Sequence, residues 1–132
     1  MCIRDRSLTH RTVAMMMPVT DVDRARTFYS ESLGLDYTGT NDEGSAIYAL
    51  DGGSTLVLLP RPEARPSEST AISFEVDDIT GEIGLLEERG VVFEDYDLPD
   101  LKTVDHVAEM GSEKAAWFKD PDGNVLCLHQ GT

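Results

Sequence analysis

The chain is short of cysteine, of cationic side chains and of long apolar runs, and each shortage excludes a class of protein. Cys2 and Cys127 are the only cysteines among 132 residues. A disulfide framework is therefore excluded, and a reducing cytoplasm is the expected compartment. Lys plus Arg number 11 against 25 Asp plus Glu, a formal net charge of −14. A phosphate-binding surface needs a cationic stripe, so neither nucleic acid nor an anionic membrane is an expected partner. No apolar run approaches the roughly 20 residues of a membrane-spanning helix. The longest are Val13–Val19 and Leu56–Leu59. The head of the chain lacks the apolar stretch and cleavage pattern of a signal peptide. Glycine-rich phosphate loops, nucleophile elbows and Cys/His zinc spacings are also missing.

What remains is the composition of an ordinary globule, 40% hydrophobic and 27% charged, long enough for one compact domain with a real core. Met1–Ser7 carries no periodicity and resembles a translated sequencing adapter, so it is set apart from the fold. Residues 1–11 are expected to form a non-native or disordered tail, and 12–132 a single domain.

The informative feature is an internal repeat. The apolar stretch Thr12–Val19 is followed by an acidic helix cap at Asp21. A helical pattern then places Val22, Ala25 and Phe28 on one face and stops at Gly34. The second copy opens with Ala71–Val76, which alternates Ile72, Phe74 and Val76 against Ala71, Ser73 and Glu75. It is capped at Asp77 or Asp78, carries Ile79, Ile83 and Leu86 on one helical face, and stops at Gly90. Asp21 to Asp78 is 57 positions and Gly34 to Gly90 is 56, so caps and stops agree on the repeat offset to within one position. Strand signals follow each helix: Leu35–Tyr37, Ser45–Leu50 and Thr55–Leu59, then Val91–Tyr96, Lys114–Lys119 and Val125–His129. Each copy reads β-α-β-β-β. The pattern predicts an α+β fold in which two tandem modules, 12–60 and 70–130, form a curved eight-stranded mixed sheet around a cleft. Arg61–Ser69 is the linker. Asp97–Ser112 is a loop that the first copy lacks, of a length usually functional or mobile.

Three stretches resemble a known family. Asp21-Val-Asp-Arg-Ala-Arg-Thr-Phe-Tyr-Ser-Glu-Ser-Leu-Gly-Leu35 is similar to the first-helix signature of the vicinal oxygen chelate superfamily. Phe74-Glu-Val-Asp-Asp-Ile79 and Trp117-Phe-Lys-Asp-Pro-Asp-Gly-Asn-Val-Leu126 resemble its second-half signatures. The superfamily includes glyoxalase I, fosfomycin and bleomycin resistance proteins and extradiol dioxygenases. The resemblance implies three metal-ligand positions, one on each module's first strand and one on the last strand. Here they hold Ala14, Ala71 and Cys127. Two methyl groups and a thiol are a poor donor set for a divalent ion, so no metal or other cofactor is expected.

Period-two alternation proposes the cleft lining. Ala14, Met16, Ala71, Ser73, Trp117, Lys119 and Cys127 are placed facing in, with Tyr48 added to the ligand-binding set. Trp117 offers a flat wall for a conjugated ligand, or is simply core. Glu75 is expected to pair with Lys119, the alternative being a general base. His106, in the long loop, is the candidate partner in catalysis if the loop folds over the cleft, and otherwise is exposed. A displaced metal site from Glu75, His106 and His129 is the metal alternative. The function expected is binding of a small, planar or apolar organic molecule by a homodimer, in the manner of the bleomycin-resistance branch. The alternative is a glyoxalase-like lyase, isomerase or hydrolase acting on a small carbonyl compound.

Overall fold

A computed structural model describes residues 8–131. The reading of Met1–Ser7 lies outside those residues; Leu8–His10 forms one exposed 3-10 turn ahead of the first strand. The first module runs β1 (Ala14–Val19), α1 (Val22–Thr27), β2 (Asp36–Thr40), β3 (Ala46–Ala49) and β4 (Thr55–Pro60). The second runs β5 (Thr70–Glu75), α2 (Ile79–Glu88), β6 (Phe93–Glu94), β7 (Asp97–Leu98), β8 (Leu101–Lys102), β9 (Ala108–Met110), β10 (Glu113–Lys119) and β11 (Val125–Gln130).

The repeat is visible in the hydrogen bonds that start and stop each helix. Asp21 accepts from Arg24 N–H and Asp78 from Gly81 N–H, both at 3.2 Å, satisfying amides that the first helical turn leaves unpaired. Helix α1 widens at Phe28–Ser32 into a π-helical turn, and the chain reverses at Gly34 with φ +74°. Gly90, after α2, has φ +91°. Left-handed backbone of this kind disfavours residues with a Cβ.

The two modules build equivalent sheets. The first has the order β1-β4-β3-β2, with β1 and β4 parallel; the second has β5-β11-β10-β6, with β5 and β11 parallel. Strand β9 adds to β10, and β7 and β8 form a separate hairpin. The long 97–112 segment is thus a folded excursion. Backbone pairing ends at β1 and β5, and no ladder joins those two edges among the described residues.

One core serves both modules. Met17 and Val19 of β1, Leu56 and Leu58 of β4, Ala25 and Tyr29 beside them, Ile83 and Leu86 of α2, and Phe118 of β10 belong to a single apolar cluster. A polar latch crosses the same seam. Tyr29 O–H donates to Asp120 Oδ2 at 2.7 Å, and the Asp120 carboxylate also accepts from the backbone N–H groups of Asp122 and Asn124 and from the Asn124 amide. Asp122 in turn accepts from Thr20 N–H and pairs with Arg24 at 3.3 Å. The turn joining β10 to β11 is therefore pinned to the first module's helix. Each buried carboxylate oxygen has a donor, the condition under which such burial is tolerated.

Candidate functional site

The strand alternation leaves one face of each sheet away from the helices. On β1 the pattern is as expected: Met17 and Val19 are buried, while Ala14, Met16 and Pro18 are exposed. Met16 and Ala71 meet in a hollow of about 400 Å³ between the free edges of β1 and β5, which Pro18, Arg65, Ser67 and Asn124 also line. On the second sheet, register aligns Ser73, Cys127, Trp117 and Glu94 in one cross-strand row. The adjacent row is Glu75, His129, Ala115 and Ala108.

Trp117 anchors this face. Its indole is half-buried, its Nε1–H donates to Thr70 Oγ1 at 3.2 Å, and Tyr96 packs edge-on against it with ring centroids 5.7 Å apart. A ring held by its N–H and by a perpendicular aromatic neighbour has a restricted orientation. Thr70 escaped the sequence reading because β5 carries an irregularity. Val125 pairs with Thr70 and Leu126 with Ile72, so Ala71 is skipped and Thr70 turns to the Trp117 side. Lys119 also lies on this face but pairs with Glu94 at 3.3 Å, which corrects the expected Glu75–Lys119 pair.

Glu75 instead meets His129. Both carboxylate oxygens lie within 2.9 Å of His129 Nδ1, and Nε2 faces Glu113 Oε1 at 3.0 Å. Ionised carboxylates only accept, so two such contacts favour the doubly protonated ring. The hydrogen bond to Glu75 is the main reason its pKa rises above the ordinary histidine value.

Two expected participants are elsewhere. His106 Nδ1 bonds Asp95 at 2.9 Å, Nε2 lies 3.4 Å from Glu87, and the ring stacks on Phe93. Phe93 faces Phe118 and the core, opposite the Trp117 face, so His106 neither covers that face nor joins Glu75 and His129. Tyr48 is also a correction. Paired with Leu56 on the core side and fully buried, it bonds Ser30 Oγ at 2.8 Å and lines no open surface.

The residues at the three implied ligand positions do not fit a divalent ion. Ala14 and Ala71 offer methyls. The Cys127 thiol is 5% exposed, and burial raises its pKa so that it stays protonated. Among the described residues no three His, Cys, Asp or Glu side chains converge as a metal site. No helix of the described residues is long and apolar enough to cross a membrane.

Comparison with known proteins agrees with this architecture. The family model for the Glyoxalase/Bleomycin resistance protein/Dioxygenase superfamily matches residues 11–128, and the chain belongs to that superfamily. No curated protein matches the sequence. Among solved structures, TnmS3, an antibiotic binding protein from Streptomyces sp. CB03234, is 27% identical with a TM-score of 0.73, the match covering 96% of this chain and 99% of that one. A glyoxalase/bleomycin resistance protein from the same strain is 28% identical with a TM-score of 0.66, over 91% and 100% of the two chains. A superfamily member from Sphaerobacter thermophilus DSM 20745 is 25% identical with a TM-score of 0.71, over 91% and 96%.

Proposed function

We propose that this chain binds a small, planar or apolar organic molecule on the open face around Trp117, without a metal ion, and sequesters it in the cytoplasm. The observation that carries the reading is the restrained indole of Trp117, bonded to Thr70 and braced by Tyr96, in a row with the neutral side chains of Ser73 and Cys127. A stacked aromatic pair adds about 0.5–1.5 kcal/mol beyond the area it buries. Met16 and Pro18 supply apolar surface in the separate hollow between β1 and β5, which Ala71 also lines. The likeness to an antibiotic binding protein supports the same reading. The net charge of −14 favours neutral or cationic ligands over anions. Glu75, hydrogen-bonded to His129 Nδ1, is assigned to structure rather than to proton transfer. A homodimer is part of the proposal, because β1 and β5 each leave an edge unpaired, with Val13 just ahead of β1 and Met16 within it exposed.

The test is a melting-temperature screen of planar compounds with two or three fused rings. A binder raises the melting temperature saturably, by an amount equivalent to about 2.7 kcal/mol at a hundred times its Kd. Trp117→Ala should melt cooperatively and lose the rise. No rise with any compound, or an equal rise in Trp117→Ala, would contradict the reading. Sedimentation as a monomer would contradict the dimer.

A further inference from the structure

A second cavity lies on the other side of the sheets, where the modules meet. It has a volume of about 210 Å³ and is lined by Leu33 and Leu35 from the first module and by Phe74, Val76, Leu86, Phe118 and Leu128 from the second, with Glu75, whose carboxylate is engaged by His129, at its border. Leu86, Phe118 and Leu128 are buried and form its floor. Leu33, Leu35 and Phe74 are half-buried and form its mouth. Close packing normally leaves few voids larger than a water molecule, and an apolar void of about 150 Å³ already accepts benzene.

Glu82 also lines this cavity. It falls on the inward stripe of α2 with Ile79, Ile83 and Leu86, and is half-buried. Among the described residues its carboxylate has neither an ion pair nor a hydrogen bond. Arg89, two turns further on, packs its guanidinium against Gly34 and makes no ion pair with Glu82. A half-buried carboxylate beside an apolar hole gains most from a cation delivered by whatever fills that hole.

We propose that this seam cavity is a second small-molecule site, which takes a compact apolar group carrying a single cationic amine, with the apolar part between the modules and the ammonium on Glu82. An occupant would touch Leu33 and Leu35 on one side and α2 and β11 on the other, so it would tie the modules together. The site borders the Trp117 face at Glu75 but does not include Trp117. Trp117 is the only tryptophan and projects from β10 on the side opposite Phe118.

The probes are phenethylamine, 2-phenylethanol and 3-phenylpropionate, which share one apolar body and differ in head-group charge. Titrations followed by ¹H–¹⁵N chemical shifts should move the amides of Leu33, Leu35 and Leu86 saturably. Phenethylamine should bind most tightly and 3-phenylpropionate most weakly. Glu82→Gln should reduce the preference for amine over alcohol by about fivefold. Leu35→Trp, which fills the mouth from a half-exposed position, should abolish binding of all three, and Trp117→Ala should leave it intact. The proposal is overturned if none of the probes saturates at the seam, if the carboxylate binds as well as the amine, if Glu82→Gln leaves the preference unchanged, or if Trp117→Ala removes the response.

Discussion

Replacing Tyr29 by Phe tests the seam that holds the modules in register. The substitution deletes one oxygen and leaves the ring, its edge-on contact with Phe28 and its packing near Tyr48. What is lost is the 2.7 Å hydrogen bond from a fully buried phenol to the Asp120 carboxylate. A hydrogen bond to a charged group is worth about 1.5–3 kcal/mol. Asp120 keeps three other donors, two backbone N–H groups and the Asn124 amide, so its charge is not orphaned and the loss belongs at the lower end, about 1.5–2 kcal/mol. For a chain of this size that lowers the melting temperature by about 5–10 °C. Burial, followed by the Asp120 charge, pushes the phenol's pKa far above its ordinary value, so it remains a donor at any working pH. Urea denaturation followed by circular dichroism measures the effect. The midpoint should fall with the slope unchanged, because the surface exposed on unfolding is the same. A loss below about 0.5 kcal/mol would mean that Asp120 does not depend on the phenol, and the latch would be refuted.

Other positions give independent tests. His129 has its folded pKa raised above the ordinary value of about 6.5, so its stabilisation is complete below that pH and is lost as pH rises through the folded value. The melting temperature of Glu75→Gln should therefore fall less than that of the parent between pH 6 and pH 9, and superimposable curves would contradict the clamp. Gly34→Ala forces a side chain into backbone at φ +74° with its Cβ 3.0 Å from Arg89 Nη1; the expected cost is about 1–2 kcal/mol by denaturant titration, and a neutral effect would contradict the turn. Cys127 should resist iodoacetamide at pH 8 in the folded protein and react fully in urea. Mass spectrometry of its peptide checks this, and rapid native labelling would contradict its burial.

The local elements were legible in the sequence because their signals are local. Asp21 and Asp78 cap helices through amides three residues away, and Gly34 and Gly90 end them through their own φ angles. Alternation sorted β1 correctly because that strand pairs without interruption from Ala14 to Val19. On β5 the register sets Ser73 and Glu75 on the side the alternation proposed, but the irregularity beside Val125 adds Thr70 to the Trp117 side, a shift that depends on the partner strand. Tyr48 was misplaced for a related reason, since its face is set by pairing with Leu56. Charged partners were least legible. Glu75 meets His129 across 54 positions because β5 and β11 are parallel neighbours, and Lys119 finds Glu94 through β6. The 97–112 excursion hid its order because its hairpin has only two residues in each strand, too few to show a period. It places His106 against Asp95 and Glu87 through backbone at φ 52° for Asp105 and 72° for His106.

The central claim is that a braced aromatic plane, and not a bound ion, captures the ligand. The most direct measurement is a fluorescence titration of Trp117 with a stabilising planar compound, made before and after exhaustive treatment with EDTA. The account predicts saturable quenching with the same Kd in both. Quenching that vanishes in EDTA and returns on adding zinc, manganese or nickel would contradict it.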